Sequence, residues 1–298
     1  MKVCAGIVTF NPDVLRLKEN IQSVTKQIQK IIIVDNCSDN IAEIERLLSI
    51  YGNIRLIKYN SNKGIAKALN DIFEFAIEER AEWVLTLDQD SVIPDNLIIE
   101  YENVNVNKRV AILCPSIRDE NLNSLIENKN TIEEVGICIT SGSLNRIAVW
   151  RQLGGFDEKL FIDSVDNEYC IRLKYYGYKV LKVNSVILSH ELGKSENHLY
   201  KRTTNHNAMR RYYIARNSIY VAKKYKKLFR EKGIVGDQYK KMSISLDRLI
   251  SPERIYLRQL QFVVLIALYE KNKVQKIKSI IKGLRDGNQK YHIELTSN

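Results

Sequence analysis

The sequence predicts an α/β fold with a Rossmann-like, mostly parallel sheet, followed by a basic helical extension. Three observations support this prediction. Strand-like apolar runs alternate with helical periodicity up to residue 90, and such alternation with short connections is typical of a doubly wound parallel sheet. Polar clusters follow each of these strands, and the basic charge is concentrated in the last third of the chain. We therefore expect an α/β domain at residues 1–194 and a basic helical region at residues 195–298.

Four strands and three helices are expected in the first part. The first two strands are near-continuous apolar runs rich in β-branched residues, which suits strands buried on both faces of a parallel sheet. The four strands cover residues 3–10, 30–34, 54–59 and 83–87. Between them, apolar residues recur three or four positions apart, which predicts amphipathic helices beginning near residues 14, 41 and 65.

The composition restricts the class of protein and the cellular compartment that we expect. The chain is 45% hydrophobic and 27% charged, as in ordinary globular proteins, so disorder is not expected. Its five cysteines include no Cys-x-x-Cys pair, which argues for reduced thiols in the cytosol and against a disulfide framework or a zinc site. No secretory leader and no apolar run of about 18 residues is evident, so neither export nor a membrane-spanning helix is expected.

The positive charge of the chain lies in its last third. Residues 1–194 carry 23 Lys and Arg against 27 Asp and Glu, whereas residues 195–298 carry 23 against 8. Such asymmetry indicates a polyanionic partner, either nucleic acid or an anionic membrane leaflet. Segments 223–230 and 255–282 interleave cations with aromatic or apolar residues, which favours a peripheral position at the inner face of the cell membrane. The same apolar helices would also suit a homodimer.

The sharpest local motif is Asp88-Gln89-Asp90, directly after the fourth predicted strand. Two carboxylates so close together repel each other, so a divalent cation is their natural partner. Carboxylate oxygens, completed by phosphate and water oxygens, suit Mg²⁺ or Mn²⁺. The residues alone leave an alternative open, namely a polar turn whose aspartates cap the following helix.

The ordered motifs resemble family 2 glycosyltransferases of the GT-A fold, and within them the bacterial rhamnosyltransferase branch. The resemblance extends over roughly residues 3–220 and rests on the segments Val8–Pro12, Val34–Ser38, Leu87–Ser91, Gly154–Glu158 and Phe161–Arg172. It implies a metal-dependent, inverting transfer of a sugar from a nucleotide diphosphate-sugar. The implied donor is dTDP-L-rhamnose, with another UDP- or dTDP-hexose as the alternative. The implied acceptor is a saccharide, expected to be lipid-diphosphate-linked, in cell-surface polysaccharide synthesis.

The resemblance also assigns roles to individual residues. Asp88 and Asp90 would bind the metal at the donor diphosphate, with Asp90 the more direct ligand, and His190 would add a third ligand. The nucleotide and the adjoining part of the donor would be held by residues at the other strand ends and at the start of the third helix, namely Thr9, Asn11, Asp35, Asn36, Asn62, Gly64, Ala68 and Asn70. Gly64 is equally explained as a residue that permits a turn.

The general base is sought among Asp163, Asp166 and Glu168. Aligned on Tyr169–Arg172, Asp166 falls on the family's catalytic carboxylate, which would take the acceptor proton as the hydroxyl attacks the anomeric carbon. Alternatively, all three acidic residues complement the N-terminus of a helix predicted at 167–176; this alternative is preferred for Asp163 and Glu168. The segment 210–217 resembles one that follows the catalytic domain in this branch, where arginines would hold a diphosphate of the donor or of a lipid-linked acceptor. An exposed, charged helix face explains any single arginine there equally well.

Other classes fit less well. Nucleic-acid binding agrees with a pI of about 9.3, but no helix-turn-helix, zinc-finger or RRM signature is found, so no nucleic-acid partner is expected. A sugar-nucleotidyltransferase would need a Gly-rich basic loop after the first strand, where this chain has Phe10-Asn11-Pro12. A catalytically inactive scaffold is disfavoured because the acidic residues Asp88, Asp90 and Asp166 are all present.

Overall fold

The computed structural model describes residues 1–118, 131–189, 196–197, 202–203, 205–235 and 244–296. The first seven elements alternate as predicted, and each of the four strands ends within one residue of its expected bound. In order they are β1 Val3–Thr9, α1 Val14–Thr25, β2 Lys30–Asp35, α2 Ile41–Leu48, β3 Ile54–Lys58, α3 Ile65–Glu78 and β4 Trp83–Asp88.

The elements that follow are less regular up to β8 and mainly helical afterwards. They are α4 Leu97–Glu102, β5 Val110–Arg118, β6 Ile132–Val135, β7 Ser143–Arg146, α5 Ile147–Gln152, a 3-10 turn at Glu158–Leu160, α6 Val165–Tyr175, β8 Lys179–Ser189, β9 Glu196–Asn197, β10 Arg202–Thr203, α7 Ala208–Glu231, α8 Ile244–Leu249, α9 Pro252–Tyr269 and α10 Lys273–Thr296.

The strands β1 to β8 form one eight-stranded sheet in the order β3-β2-β1-β4-β7-β5-β8-β6. Strands β3, β2, β1 and β4 are parallel neighbours, and β5 pairs in parallel with β8, whereas β7 and β6 run antiparallel to their neighbours. The prediction of an α/β fold with a mostly parallel sheet is therefore confirmed. The register aligns Thr9 with Asp35 and Val8 with Asp88, so the carboxyl ends of three strands lie level.

Burial explains why these segments pair as they do. All four residues from Ile31 to Val34 are at most 1% exposed, as expected for a strand covered by helices on both faces. Helix α1 buries Leu17, Ile21 and Val24 completely, and these are the positions that its helical periodicity directs toward the sheet.

The chain divides into two compact units. The first contains residues 1–161 and 176–191, and the second contains residues 162–175 and 192–298. The expected boundary near residue 195 left the segment 162–175, which contains α6, in the first domain. By its contacts this segment belongs with the C-terminal helices instead.

Hydrogen bonds and an ion pair account for the position of α6 in the second unit. The fully buried Glu168 carboxylate on α6 accepts a hydrogen bond from the Tyr225 hydroxyl of α7 at 2.5 Å. It also pairs with Arg172 at 2.9 Å. The Asn217 side-chain amide of α7 donates to the carbonyl oxygens of Ile162 and Asp163 at 2.8 and 2.9 Å. Removing such buried partners would leave charged or polar groups unpaired.

Helices α7 and α10 pack closely in the second unit because α10 presents two glycines to α7. A Cβ atom at Gly283 would lie 2.4 Å from the carbonyl oxygen of Tyr212, and one at Gly287 would lie 2.3 Å from that of Arg216. Only glycine permits this backbone approach. Among the helices that the structure describes, none is both long and apolar enough to cross a bilayer.

Candidate active site

The four polar clusters that follow β1 to β4 meet at one edge of the sheet, as the sequence predicts. The Thr9 hydroxyl donates to Asp35 Oδ1 at 2.8 Å, which joins the first two strand ends. The backbone N–H of Phe10 donates to Gln89 Oε1 at 2.8 Å, and that of Lys63 donates to Asn36 Oδ1 at 2.8 Å. Ligands of open α/β sheets bind at such an edge, so this is the candidate site of the first unit.

Asp35 is a buried residue whose hydrogen bonds connect the loops at this edge of the sheet. It is 1% exposed, and its carboxylate accepts hydrogen bonds from the Thr9 hydroxyl at 2.8 Å and from the Ser38 backbone N–H and hydroxyl at 2.8 and 2.6 Å. A carboxylate has about four acceptor positions, so these described contacts use three of them. Asp35 therefore holds the loop after β2 in place, a role that the sequence did not reveal.

Asn11 connects the loops after β1 and β2. Its φ of 46° lies in the left-handed region, which asparagine tolerates better than most residues. Its side chain accepts from the Asp39 backbone N–H at 2.7 Å and donates to the Asp39 carboxylate at 3.2 Å, while its own N–H donates to Ser38 Oγ at 2.8 Å. The turn chemistry of asparagine was the available signal for this role.

Gly64 lies immediately before α3 with a φ of 86°. A Cβ atom there would lie 2.6 Å from the carbonyl oxygen of Phe161, which accepts the N–H of Ile65 at 2.6 Å. The close approach that requires glycine is therefore to the protein's own backbone. Asn62 supports the same turn, since its Oδ1 accepts the Gly64 N–H at 2.9 Å.

Ala68 and Asn70, which were also predicted to lie beside the donor at the start of α3, contact other parts of the protein in the structure. Asn70 exchanges two hydrogen bonds with the backbone of Phe156, at 3.0 and 2.8 Å, and so fixes the Gly154–Glu158 motif against α3. Ala68 is fully buried.

The Asp88–Asp90 turn is held through its backbone by α1. The Asn20 side chain donates to the carbonyl oxygen of Asp88 at 2.7 Å, and Arg16 Nε donates to that of Asp90 at 2.8 Å. Asp88 is half-buried and Asp90 is exposed. These two carboxylates provide the hard oxygen donors that Mg²⁺ or Mn²⁺ prefers, so the donor chemistry fits a divalent ion whose remaining ligands come from elsewhere.

A complete protein cage for the metal is not formed by the described residues. Within them no group of three or more His, Cys, Asp or Glu side chains is arranged to hold an ion. His190, the third predicted ligand, lies outside the described residues. A site with two carboxylates suits an ion that also binds substrate phosphate, as is common for Mg²⁺.

The three candidate bases differ sharply in their surroundings. Glu168 is fully buried between Arg172 and Tyr225, so it stabilises the packing of α6 on α7. Asp163 pairs with Arg210 at 3.3 Å; burial raises the pKa of Asp163, and Arg210 opposes that shift. Asp166 is half-buried, and its Oδ1 accepts the N–H of Asn167 at 2.7 Å.

Helix α6 begins at Val165, two residues before the predicted start. Asp166 therefore lies inside its first turn instead of preceding the helix. The preceding residues Phe161, Asp163 and Ser164 have φ values of 50°, 62° and 65°. Such left-handed conformations are costly for residues other than glycine and concentrate at functional sites. The bonds from Asn217 to this segment hold it in place.

The model of Glycosyl transferase family 2 matches residues 4–161, which is more than half of the chain and includes all four polar strand ends. The chain belongs to this family. The prediction made from the ordered motifs is thus confirmed.

Relatives of this family 2 glycosyltransferase agree with the assignment over nearly its full length. It is 27% identical over 307 residues to the dTDP-rhamnosyl transferase RfbF of Shigella flexneri, covering 96% of this chain and 95% of that protein. The structure of S. aureus TarS 1-349 matches with a TM-score of 0.52 at 13% identity, covering 97% of this chain and 92% of that one. GalNAc-T7, solved with UDP, GalNAc and Mn²⁺, matches with a TM-score of 0.58 at 14% identity, covering 90% and 58%. These structures confirm the GT-A fold.

A cavity of about 770 Å³ in the first unit of the glycosyltransferase is not the candidate site. It is lined by residues that include Trp83, Arg146 and Arg151. Trp83 begins β4 and Asp88 ends it, so the two residues are roughly 16 Å apart along a strand that rises about 3.3 Å per residue. The cavity therefore opens at the opposite edge of the sheet from the polar cluster.

Proposed function

We propose that this enzyme transfers L-rhamnose from dTDP-L-rhamnose to a saccharide hydroxyl, by a metal-dependent displacement that inverts the anomeric centre. The observation that supports this donor is the 27% identity to a dTDP-rhamnosyl transferase across 96% of the chain. Because the aligned region spans both units, the similarity extends over the whole enzyme and is not limited to the unit proposed to bind the nucleotide.

The donor nucleotide is proposed to bind at the polar edge of the first unit. Asn11 would contact the base and the ribose. Thr9 and Asn36 were predicted to do the same, but they are 0% and 2% exposed, so with Asp35 they would instead hold the loops that form the pocket. Asn62 and Gly64 would lie beside the donor at the start of α3. Because these loops are already ordered by the protein's own hydrogen bonds, less conformational entropy is lost when the donor binds.

The metal ligands are proposed to be Asp88 and Asp90, together with His190 and the donor diphosphate. A divalent ion bound there would supply positive charge to the diphosphate as it leaves. The contribution of this chain is to hold the backbone of the Asp88–Asp90 turn by its carbonyl oxygens.

Asp166 is proposed to be the general base. The acceptor oxygen forms a bond to the anomeric carbon while the bond from that carbon to the diphosphate oxygen breaks, and the hydroxyl proton passes to the Asp166 carboxylate. The nucleoside diphosphate leaves with the bonding electrons. A single displacement without a covalent intermediate inverts the anomeric configuration.

A screen of nucleotide sugars tests the proposed donor. The purified enzyme is given dTDP-, UDP- and GDP-sugars with a saccharide acceptor, with and without EDTA, and release of the nucleoside diphosphate is measured. We expect dTDP-L-rhamnose to be turned over fastest and EDTA to abolish the reaction. Equal or faster turnover of a UDP-hexose would contradict the rhamnose assignment, and release of inorganic pyrophosphate from dTTP and a sugar phosphate would indicate a nucleotidyltransferase.

We also propose that α9 docks on the anionic inner face of the cytoplasmic membrane, where a lipid-linked acceptor would reside. One face of α9 exposes an apolar stripe, formed by Leu257, Leu260, Val264 and Leu268, whose members are 50–61% exposed. Residues 252–296 carry nine Lys and Arg against four Asp and Glu. A second copy of the chain would bring like charge to this face, whereas anionic lipids bring the opposite charge.

Polar substitution of the stripe tests the membrane proposal. The double variant Leu260→Ser and Leu268→Ser is expected to weaken binding to phosphatidylglycerol vesicles by at least about tenfold, since full burial of each leucine contributes roughly 1.5–3 kcal/mol. Co-sedimentation measures the binding. Because both side chains are 61% exposed in the protein, folding should be unaffected.

Leu15→Ser is the matched control, because Leu15 is also a largely exposed leucine, at 75%, but lies on α1 of the first unit. It should bind vesicles like the unchanged enzyme. Equal binding to phosphatidylcholine vesicles would contradict the electrostatic part of the proposal. A dimer in solution that the double variant dissociates would assign the stripe to a second copy instead.

A further inference from the structure

A cavity of about 260 Å³ lies wholly within the second unit. Its lining combines the start of α6 with side chains from α7, α9 and the segment before α7. Its polar and charged members include Asp163, His206, Arg211, Arg258 and Gln259. Such convergence of donor groups on one concave space is typical of a ligand site.

The cavity is bordered by a buried excess of positive charge. Arg211 and Lys276 both bind the single carboxylate of Glu270, at 2.6 and 2.8 Å. Their side chains are 3%, 6% and 1% exposed respectively. Two buried cations share one anion, so among the described residues this cluster carries one positive charge in excess. Burying a charge without a counter-charge is costly, and a bound anion would remove that cost.

Other charged groups at the cavity do not cancel this excess. Asp163 is the one carboxylate among the described residues that line the cavity, and it pairs with Arg210 at 3.3 Å. Arg258 adds an exposed guanidinium to the lining. Burial is the largest of the causes that together lower the pKa of His206 to about 4; the positive charges of Arg210, Arg211 and Lys276 act in the same direction, and Glu270 opposes them. His206 is therefore neutral at physiological pH and adds no charge of its own to the cavity.

Three buried polar atoms on lining residues have no hydrogen-bond partner within the described part of the chain, namely Asp163 Oδ2, Arg211 Nε and Gln259 Oε1. Arg211 and Gln259 are each 2% exposed. Arg211 uses another nitrogen for Glu270, so its Nε–H is still available as a donor. Unpartnered buried groups in a native protein require an explanation, and a ligand that bears acceptor oxygens and a hydroxyl provides one.

We infer that this cavity binds a phosphate-bearing ligand, namely the diphosphate of a lipid-linked saccharide acceptor. The inference rests on the proposed function and specifies its acceptor. Guanidinium groups suit phosphate because they present several donors in a fork. The volume of about 260 Å³ accommodates a diphosphate but is small for a whole nucleotide sugar. Headgroup phosphate of the bilayer shares this chemistry and is the other source.

The position of the proposed base favours the acceptor over the donor. Ser164 and Asn167, which line the cavity, lie on either side of Asp166 near the start of α6. The base that receives the acceptor proton and the cavity therefore belong to the same unit, whereas the residues proposed for the nucleotide belong to the first.

Inorganic pyrophosphate is the first probe. Isothermal titration calorimetry is carried out on the full chain saturated with dTDP, so that the nucleotide site is occupied. Arg258→Gln should weaken pyrophosphate binding by about tenfold, the usual loss for one charge-assisted hydrogen bond. The matched control is Arg254→Gln, one turn away on α9 and exposed, whose guanidinium pairs with Asp247 at 2.7 Å; it should bind pyrophosphate normally.

Acceptor kinetics distinguish the two sources of phosphate. With a lipid-diphosphate-linked saccharide, Arg258→Gln should raise KM about tenfold with little change in kcat, and with the same saccharide lacking the diphosphate it should change neither. Arg258-dependent binding of phosphatidylglycerol vesicles without this KM effect would assign the site to a headgroup and overturn the acceptor inference. The inference would also be overturned if both arginine variants lost pyrophosphate affinity equally, or if Arg258→Gln bound pyrophosphate as tightly as the unchanged enzyme. Either result would mean that pyrophosphate binds as an adventitious ion only.

These outcomes are independent of the donor proposal. Pyrophosphate binding requires no turnover, so it can succeed or fail whichever nucleotide sugar the enzyme uses. Conversely, the donor screen measures nucleotide release with any competent acceptor, so a failure there leaves the calorimetric result for Arg258→Gln unchanged.

Discussion

Asp166→Asn is expected to reduce kcat by about 10²- to 10⁴-fold, the range that a positioned general base contributes. The amide cannot accept the proton that the acceptor hydroxyl must lose. Asp166 is half-buried in the first turn of α6, and asparagine has nearly the same shape, so the fold should persist. The measurement is the steady-state rate of nucleotide release with acceptor present, alongside donor affinity and the melting temperature, both of which should stay close to those of the unchanged enzyme.

The two neighbouring acidic residues provide the comparison for Asp166. Asp163→Asn keeps the shape of a side chain that pairs with Arg210, so a much smaller loss of kcat is expected. Glu168→Gln should instead lower the melting temperature, because Arg172 would lose a fully buried counter-charge. If Asp166→Asn folds normally and keeps near-normal turnover, or if the large loss follows Asp163→Asn instead, the assignment of the base is wrong.

Asp90→Asn is expected to reduce activity about 10²-fold or more, because a metal that loses a charged ligand stabilises the departing diphosphate less. The Asp90 side chain is exposed, and Arg16 binds only its backbone oxygen, so the substitution should leave the turn intact. The affinity for Mn²⁺, measured by electron paramagnetic resonance in the presence of dTDP, should fall in parallel. EDTA should remove the activity of the unchanged enzyme, and added Mg²⁺ or Mn²⁺ should restore it.

Asp95→Asn is the matched control for Asp90. Asp95 is an exposed carboxylate five residues further on, and its ion pair with Lys26 at 3.1 Å is exposed on both sides. Exposed pairs of this kind contribute little to stability, so activity and Mn²⁺ affinity should be unchanged. An Asp90→Asn variant that binds Mn²⁺ as before, or an enzyme whose turnover is indifferent to EDTA, would contradict the metal proposal.

The predictability of the fold changes along the chain. The alternation of strands and helices from β1 to β4 was predicted with strand ends within one residue, because buried parallel strands and amphipathic helices have distinct local periods. The start of α6 was predicted two residues late. Its true start depends on the left-handed residues before it and on bonds from Asn217, which is about fifty residues away in sequence.

The candidate site shows the same division. The sequence was sufficient to assign the family and to bring four polar strand ends to one edge, since parallel strands joined by helices have no other arrangement of their carboxyl ends. It did not reveal that Asp35 supports Ser38 and Thr9 or that Gly64 makes room for Phe161. The Thr9–Asp35 bond and the approach of Gly64 to Phe161 connect separate elements, so no local spacing encodes them. The bonds from Ser38 to Asp35 are local, three residues apart.

The sequence by itself determined the α/β order, the family and the residue types that are able to hold an ion and remove a proton. Tertiary structure alone decided that α6 belongs with the C-terminal helices and that Arg211, Glu270 and Lys276 share a buried cluster beside a cavity. The physical reason is the distance along the chain over which the interactions act. Helix and strand patterns reflect interactions between residues a few positions apart, whereas buried ion pairs and cavities arise where distant segments pack and exclude water.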